Sequence, residues 1–316
     1  MTTLLPPRPP AASDRPAKGG PVRSGKARMN RPGIAWTLPA TIFFLLFAAV
    51  PLVAVVVLSF MTWTGLGDPK FVGMENWQEL AGDPVMLKSL WLSVLFIVLG
   101  VVTQTPVSIL LGVWAAGPQR NRAVLSAIFF LPLLLSSAAI SVLWRALLDP
   151  NFGVPAQLTW LFGDGNLFGH QSTAIGVIIF VGMWQFTPFH TLIYQGAAKS
   201  VPPVLYQAAE VDGAGRIRQF FSITLPQLRN STITSVILMV VGGLTTFETV
   251  LILTNGGPGT DTTITAFYMW EEAFRRYNFG MGSAIALVLV LVATAISLIM
   301  VKLSGYDKMR STMEGV

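Results

Sequence analysis

Few residues in this chain have the types and the spacing that bond chemistry requires. Residues 20–27 fit the Gly-x4-Gly-Lys part of a phosphate-binding loop, but Ala27 lacks the hydroxyl that would hold magnesium, and no apolar strand precedes the stretch. Cysteine is absent, which excludes a disulfide, a thiol nucleophile and a Cys-type zinc site. The two histidines, His170 and His190, are too few for a histidine metal cluster. We therefore expect no catalytic residue, no metal site and no cofactor held by this chain.

The adjacent carboxylates Glu271 and Glu272 are a further candidate for acid and base chemistry. They lie in a segment, about Tyr268–Arg276, that we expect to form a short interfacial helix. Neighbouring residues on a helix point in different directions. The pair is therefore predicted to be two solvated charges and not a general acid and base.

The most informative polar stretch lies between two very apolar segments. It contains small residues, an acid and a glycine, and it closes with a Leu-Pro step. The residues concerned are Gln207, Ala208, Ala209, Asp212, Gly213, Ala214, Ile223, Leu225 and Pro226. Nothing in a lipid environment requires this pattern. We interpret it as a docking element for a second protein.

Local signals predict two short helices in this stretch, joined at Gly213. Two consecutive prolines suit the start of the first helix, because proline tolerates the first turn. Gly213 then permits a left-handed turn. A second helix is expected to stop before Pro226. Phe220 and Phe221 are expected to anchor this hairpin on the membrane helices.

Composition places these residues in a membrane protein. Hydrophobic residues make up 53% of the 316 residues and charged residues 11%, against about 25% charged in soluble domains. Crossing about 30 Å of hydrocarbon takes about 20 apolar residues in a helix. Six runs approach that length: Ile34–Phe60, Leu90–Ala116, Val124–Leu147, Thr173–Tyr194, Thr232–Leu253 and Met281–Leu303. We predict an all-α integral membrane fold with six transmembrane helices.

The basic residues predict the orientation of these helices. If the N-terminus lies in the cytoplasm, 16 of the 21 Lys and Arg fall on the cytoplasmic side. The others are Lys70, Lys88, Arg145, Arg275 and Arg276. Because cytoplasmic loops carry the excess of Lys and Arg, both termini are predicted to be cytoplasmic. The net charge of +6 is therefore a topology signal, and we expect no nucleic-acid partner.

Three regions follow from this pattern. Residues 1–33 are rich in Pro, Gly, Ser and Arg and are predicted to be a disordered cytoplasmic tail. Residues 34–303 form the six-helix domain, in which the loop at about 199–228 is the longest cytoplasmic connection. Residues 304–316 are predicted to be a cytoplasmic C-terminal tail.

The polar loop resembles the EAA loop of permease subunits of binding-protein-dependent ABC importers. That pattern is Glu-Ala-Ala-x3-Gly-x9-Ile-x-Leu-Pro. Six positions match it at the same spacing: Ala208, Ala209, Gly213, Ile223, Leu225 and Pro226. Gln207 stands where the family usually has Glu. The side chain keeps a hydrogen-bonding end but loses the charge, so a salt bridge from this position to an ATPase cannot form.

Two other segments resemble the sugar-transporting branch of these permeases. One is Phe71–Trp77, after the first apolar run. The other is Phe247-Glu248 followed by Leu253–Pro258, which resembles a Phe-Asp and Leu-Thr-x-Gly-Gly-Pro pattern with Glu replacing Asp. The resemblance extends from about Trp36 to Lys302.

The resemblance implies a type I importer in a prokaryotic cell (inner) membrane. An extracytoplasmic binding protein would deliver a sugar or oligosaccharide, and two six-helix permeases would form its path. An ATPase dimer would bind ATP and magnesium and drive transport. The nine residues of the polar stretch would couple this chain to the ATPase, so the chain would be a transport subunit and not an enzyme.

Five residues are candidates for the substrate path: Trp184, Gln185, Thr187, Phe247 and Glu248. An aromatic ring with amide and hydroxyl groups could stack on a sugar and bond to it. A charge in mid-bilayer is costly, so Glu248 is expected to face the interior of the bundle. Packing is the alternative role for the residues at 184–187, and structural hydrogen bonding is the alternative for Glu248. His190 is expected to be a helix-packing residue.

Two other functions remain open at this point. An ion-coupled secondary transporter would need ionisable residues within its helices, and Glu248 and His190 are the only candidates. An ABC permease could instead carry a polyol, a glycerol phosphate or an amino acid. A phosphorylated cargo would favour Lys or Arg in the path, and the apolar runs contain almost none.

Overall fold

The structure, a computed structural model, describes residues 34–117, 124 and 127–304. The predicted N-terminal tail with its phosphate-loop-like stretch lies outside the described residues, and so does the C-terminal tail from residue 305 onwards. The chain divides into two compact units, residues 1–49 and 50–316. In the first unit the described elements are a 3-10 turn, helix α1 and a π-helical turn, at Ile34–Thr37, Leu38–Phe44 and Leu45–Ala49.

The second unit is mainly helical, in agreement with the predicted all-α class. Its helices in chain order are α2 (Val50–Leu58), α3 (Glu75–Gly82), α4 (Pro84–Ala116), α5 (Ser137–Leu147), α6 (Val154–Gln157), α7 (Thr159–Phe162), α8 (Gln171–Lys199), α9 (Pro203–Val211), α10 (Arg216–Gln219), α11 (Leu225–Gln227), α12 (Arg229–Thr245), α13 (Glu248–Leu253), α14 (Thr265–Trp270) and α15 (Phe279–Ser304). A short antiparallel pair, β1 (Met61–Thr62) and β2 (Lys70–Phe71), places Met61 opposite Phe71.

Four stretches of the described chain are long and apolar enough to cross a membrane. They are Leu38–Leu58, Pro84–Ala116, Gln171–Lys199 and Phe279–Lys302. A fifth crossing is possible if the bent pair Arg216–Gln227 and Arg229–Thr245 counts as one span. These stretches overlap five of the six predicted runs.

The third predicted run, Val124–Leu147, is not one straight helix where it is described. Leu131–Leu134 forms a 3-10 turn, and α5 begins only after Ser136, whose Oγ accepts a hydrogen bond from the Ala139 N–H at 3.2 Å. At 1.5 Å per residue, the 11 residues of α5 extend about 16 Å, roughly half of the hydrocarbon thickness. The sixth crossing therefore stays a prediction.

Helices α4 and α8 form the centre of the bundle and run parallel. Near their C-terminal ends, Gln195 donates a hydrogen bond to the Ala115 carbonyl at 3.0 Å. Gly112 lies so close to α8 that a Cβ atom on it would be 2.6 Å from the Cβ of Tyr194. Their N-terminal halves share a buried apolar cluster. The glycine thus permits close packing of two long helices.

The segment Phe71–Trp77, which resembles sugar-transporting permeases in sequence, bonds to the chain at the end of α2. Buried Asn76 donates two hydrogen bonds of 2.9 Å, to the carbonyl oxygens of Ser59 and Met61. These bonds satisfy carbonyls at and beyond the end of α2, where the helix supplies no partner. Gly280, at the start of α15, lies against the same place, since a Cβ there would overlap the Met61 carbonyl oxygen.

The segment Leu253–Pro258, the second one that resembles sugar-transporting permeases, forms the turn that follows α13. Gly256 has φ of +82°, which favours glycine, and a Cβ on it would lie 2.7 Å from the Phe267 ring. The peptide between Gly257 and Pro258 is cis. The turn leads the chain towards α14.

Candidate functional site

A cavity of about 690 Å³ lies among α4, α8, α12 and α13. Along α8 it extends from Ile178 to His190, which corresponds to about 18 Å at 1.5 Å per residue. Its walls are mainly apolar, and Phe96 and Phe186 contribute to them. Among the described residues that line it, Glu248 is the only Asp, Glu, Lys or Arg. The size and the apolar lining with few polar groups are typical of sites for small organic molecules.

A break in the fifth predicted run opens on this cavity. Helix α12 ends at Thr245 and α13 begins at Glu248, so the prediction of a continuous run over Thr232–Leu253 is wrong at this point. Thr246 and Phe247 lie between the two helices, and both line the cavity. Helix ends leave backbone groups without intrahelical partners. The Thr246 N–H bonds to the Gly242 carbonyl and the Phe247 carbonyl accepts from the Leu251 N–H, so the Thr246 carbonyl and the Phe247 N–H are the backbone groups that the break leaves at this wall.

The break also determines where Glu248 lies. The residue is exposed in this chain and is not enclosed between helices. It occupies the first turn of α13, where a carboxylate interacts favourably with the helix dipole. Phe247 and Glu248 are the two predicted path residues that the structure brings together at the cavity.

The other three predicted path residues do not line the cavity. The Trp184 ring packs edge-on against Trp144, with ring centroids 5.5 Å apart. Gln185 is buried and donates to the Leu135 carbonyl at 3.3 Å, and buried Thr187 donates to a carbonyl of its own helix. Successive residues on a helix differ by about 100° in direction, so these side chains point elsewhere than neighbouring Phe186. The structure gives all three side chains packing or bonding partners.

Gln104 and His190 line the cavity and were not among the predicted path residues. Gln104 on α4 is 7% exposed, and its Nε2 atom has no hydrogen-bond partner among the described residues. His190 is buried, and its Nδ1 atom lies 2.8 Å from the Ser235 Oγ. Gln104 is the one side-chain amide in the run Leu90–Ala116, and this isolation is the sequence signal that could have identified it.

The predicted docking stretch forms a helical hairpin that lies between α8 and α12 in the chain. Its first arm, α9, begins at Pro203, and the chain turns at Gly213, which has φ of +72°. The Ala214 N–H donates to the Ala209 carbonyl at 2.8 Å, and the Gly213 N–H donates to the Glu210 carbonyl at 3.0 Å. This is the paired bonding of a Schellman motif. The predicted turn at Gly213 is confirmed.

The second arm continues through Pro226 and does not stop before it, contrary to the prediction. Helix α10, a π-helical segment (Phe220–Thr224) and α11 follow one another directly. Pro226 lies in the first turn of α11, directly after the π-helical segment. The chain bends by 65° only afterwards, at buried Leu228.

Two side-chain hydrogen bonds lie within the hairpin, and one of them crosses its turn. The Tyr206 hydroxyl lies 2.9 Å from the Thr224 Oγ1, and the Gln219 Nε2 donates to the Ala214 carbonyl at 2.9 Å. The first bond links α9 to the second arm. The two arms are thus joined by a side-chain hydrogen bond as well as by the chain itself.

The hairpin contacts the long helices through one of its two phenylalanines. Phe220 packs against the buried cluster of Ile109, Tyr194 and Leu228. The Phe221 side chain is 62% exposed. The predicted anchoring is therefore confirmed for Phe220 and wrong for Phe221.

The outer surface of the hairpin is apolar and exposed. Val204, Val211, Ile217 and Phe221 are each at least 62% exposed. None of the predicted coupling residues is buried. Gln207, Ala208, Asp212, Gly213 and Pro226 are exposed, and Ala209, Ala214, Ile223 and Leu225 are half-buried. Exposed apolar residues on such a loop are candidates for contact with another protein.

The adjacent carboxylates at 271 and 272 differ in environment. Glu272 is buried, so the prediction of two solvated charges is wrong for it. Arg276 pairs with both, at 2.5 Å to Glu272 and 3.7 Å to Glu271. Burial raises the pKa of Glu272, and Arg276 opposes that rise. Burial, with a hydrogen bond from the Tyr268 hydroxyl to the Asp83 carboxylate, raises the pKa of Tyr268. Glu271 and Glu272 lie in a packed segment between α14 and α15.

Residues 108–305 match the family model of the binding-protein-dependent transport system inner membrane component. The chain is 33% identical over 276 residues to the probable ABC transporter permease protein YurN of Bacillus subtilis, covering 84% of this chain and 93% of YurN. It is 30% identical over 295 residues to the diacetylchitobiose uptake system permease protein NgcF of Streptomyces coelicolor, covering 87% and 84% of the two chains.

A solved structure has the same fold. It is a chain of a bacterial alginate ABC transporter, crystallised with a periplasmic protein that holds an alginate pentasaccharide. The TM-score is 0.75 at 22% identity, covering 88% of this chain and 95% of that chain. The predicted permease fold is therefore confirmed.

Proposed function

Because this chain belongs to the family of binding-protein-dependent transport system inner membrane components, we propose that it is a permease subunit of an ATP-driven ABC importer. It forms half of the path through which a sugar or oligosaccharide crosses the membrane. The observation that carries this proposal is the exposed hairpin formed by α9 to α11, since its glycine turn and apolar outer surface suit a partner that grips it.

The hairpin couples transport to a partner ATPase dimer, which binds ATP and magnesium. The contact residues are Gln207, Ala208, Ala209, Asp212, Gly213, Ala214, Ile223, Leu225 and Pro226. A conformational change requires an element that makes different contacts in its two states. A hairpin that is internally bonded and packed on the long helices through Phe220 transmits movement of the ATPase to those helices.

The cavity formed by α4, α8, α12 and α13 supports a neutral cargo with many hydroxyl groups. Its described lining contains no Lys or Arg, so it offers little to a phosphate. Aromatic walls suit the apolar faces of sugar rings, and the break at Thr246 and Phe247 supplies polar groups. The diacetylchitobiose named for the relative NgcF is a cargo of this kind.

The remaining partners follow from the same proposal. A second permease subunit completes the path, and an extracytoplasmic binding protein delivers the sugar. Both termini lie in the cytoplasm, as the distribution of Lys and Arg indicates. The domain then spans residues 34–303 between two cytoplasmic tails.

The alternatives receive less support. An ion-coupled transporter needs ionisable groups enclosed within its helices. In the described residues Glu248 is exposed, and His190 bonds to Ser235. A glycerol phosphate would meet no basic residue of the described cavity lining, whereas a polyol would fit it in the same way as a sugar.

The test is to tag this chain, purify it gently from its native membrane and identify its companions by mass spectrometry. We expect an ATPase and a related permease in near-equal amounts. The purified complex in proteoliposomes, with its binding protein, should take up labelled diacetylchitobiose or a labelled trisaccharide when ATP is present. Uptake that is independent of ATP and lost with the ion gradient would overturn the proposal.

A further inference from the structure

Three glycines on three different helices line the cavity without serving helix packing. They are Gly100 on α4, Gly182 on α8 and Gly242 on α12. A Cβ atom on each of them would meet nothing within 4 Å. Gly243 is different, since a Cβ there would lie 2.8 Å from Ile97. Glycine inside a helix is less stable than alanine. Packing within this chain therefore gives no reason for the three glycines.

The contacts between the helices place the three glycines at about the same height. In the parallel helices α4 and α8, Gly112 lies against Tyr194. Gly100 lies 12 residues before Gly112, and Gly182 lies 12 residues before Tyr194. Equal steps along two parallel helices give equal rise. Helix α12 runs the opposite way, and its Gly243 lies against Ile97 of α4, close to Gly100.

Gln104 lies one helical turn from Gly100 and lines the same cavity. Its side chain is more than nine-tenths buried, and its amide nitrogen has no partner among the described residues. The buried or half-buried amides of Gln185 and Gln195 both donate to carbonyl groups. A buried amide without a partner is costly and needs a ligand or a water molecule.

We infer that Gln104 and the three glycines form the narrow part of the cavity that contacts the cargo. We call the three glycines, Gly100, Gly182 and Gly242, the glycine ring. The amide nitrogen of Gln104 is buried in this structure, so the side chain turns toward the cavity when it donates a hydrogen bond to a hydroxyl or carbonyl oxygen of the passing sugar. The bare backbone of the glycine ring sets the width that the sugar must pass. This inference rests on the proposed function and assigns it a specificity-determining position.

The first test uses the absence of cysteine from this chain. A single introduced cysteine is then the only thiol of this chain that a reagent can label. Cysteine is introduced singly as Gly100→Cys, Gly182→Cys or Gly242→Cys in the intact complex in membranes. The hydrophilic thiol reagent MTSET should label all three. Gly196→Cys is the matched control, because a Cβ there is also free of contacts but the residue does not line the cavity. Labelling should block uptake in the three variants and leave uptake unchanged in the control. Three unreactive thiols would overturn the inference without affecting the proposed function.

The second test separates a sugar contact from a structural role. Gln104→Met keeps the length of the side chain and removes the amide. We expect an unchanged or higher melting temperature, and a KM for uptake of labelled diacetylchitobiose or a labelled trisaccharide raised about threefold to tenfold. Gln195→Met removes a bonded amide and should lower the melting temperature without changing KM. If Gln104→Met behaves like this control, the inference is wrong.

A third variant tests the width. A Cβ at position 182 would meet nothing within 4 Å. Gly182→Leu narrows the glycine ring and should therefore reduce uptake of a trisaccharide at least tenfold more than uptake of a monosaccharide. Loss of the second permease on purification would show instead that Gly182 serves subunit contact. If the unmodified complex shows ATP-dependent uptake and every variant takes up sugar as it does, this inference is refuted and the proposed function stands. Absence of that uptake would refute the proposed function, and the thiol labelling would still test the glycine ring.

Discussion

The Tyr206 hydroxyl and the Thr224 Oγ1 lie 2.9 Å apart and connect the two arms of the hairpin. Tyr206 belongs to α9, and Thr224 ends the π-helical segment of the second arm. The two residues are 18 positions apart in the chain. Because Thr224 is buried and the outer surface of α9 is exposed, this bond connects the exposed arm to the part that packs on the long helices.

Tyr206→Phe should weaken coupling without removing the hairpin. It deletes one neutral hydrogen bond, which contributes about 1 kcal/mol. We expect sugar uptake per ATP hydrolysed to fall about fivefold, while the ATPase still co-purifies. The measurement is uptake and phosphate release in the same proteoliposomes. Tyr277→Phe, on an exposed residue of another segment, is the control. An unchanged ratio for Tyr206→Phe would contradict the role given to this bond.

Substitutions at Gly213 should test whether the hairpin couples to the partner. The residue has φ of +72°, and a Cβ on it meets nothing within 4 Å of this chain. Gly213→Asn should retain most uptake, because Asn tolerates the left-handed region. Gly213→Trp should abolish uptake while the protein stays in the membrane, because the bulk would meet the ATPase. Uptake assays with membrane immunoblots check both, and normal transport by Gly213→Trp would count strongly against the coupling assignment.

Gly280→Ala should destabilise the fold itself. The new Cβ would overlap the Met61 carbonyl oxygen, which also accepts a hydrogen bond from Asn76. Relieving that overlap requires backbone movement, for which about 1–3 kcal/mol is typical. The melting temperature in detergent should fall by several degrees. Gly176→Ala should not lower it, because a Cβ there meets nothing within 4 Å. Equal melting temperatures for the two variants would show that the contact between α15 and Met61 is loose.

Stability should depend on pH through Glu272. Burial raises its pKa above the ordinary value of 4.5, despite Arg276, so the folded protein binds a proton more tightly than the unfolded chain does. Stability from this group therefore falls as pH rises from 4.5 through the folded pKa, and it stays constant above that. The other charged and titratable groups nearby are Glu271, Asp83 and Tyr268.

Glu272→Gln removes the titrating group and should flatten this part of the stability profile. The measurement is the melting temperature of both proteins from pH 4.5 into the neutral range. Asp164, whose pKa is lowered by its hydrogen bond with His170, acts in the opposite direction but below its ordinary value of 3.8, outside this range. Parallel profiles for the two proteins would mean that Glu272 does not carry the effect.

Local patterns were sufficient for the elements that depend on neighbouring residues. Apolar length identified the long spans, because every helix that crosses lipid must be apolar over about 20 residues. Gly213 identified its own turn, because a left-handed residue after a helix is a property of the backbone at that position. The spacing of small residues in the same loop identified the family, which the comparisons confirm.

The sequence by itself thus determined the class, the position of five long apolar spans and the turn of the hairpin, and the tertiary structure decided which side chains meet at the cavity. Trp184, Gln185 and Thr187 have suitable chemistry, but rotation about α8 directs them to other partners. Gln104 has no special neighbours in the chain, and it lines the cavity only because α4 packs beside α8 and α12. The direction of a side chain relative to a cavity depends on how helices pack, and residues distant in sequence set that packing.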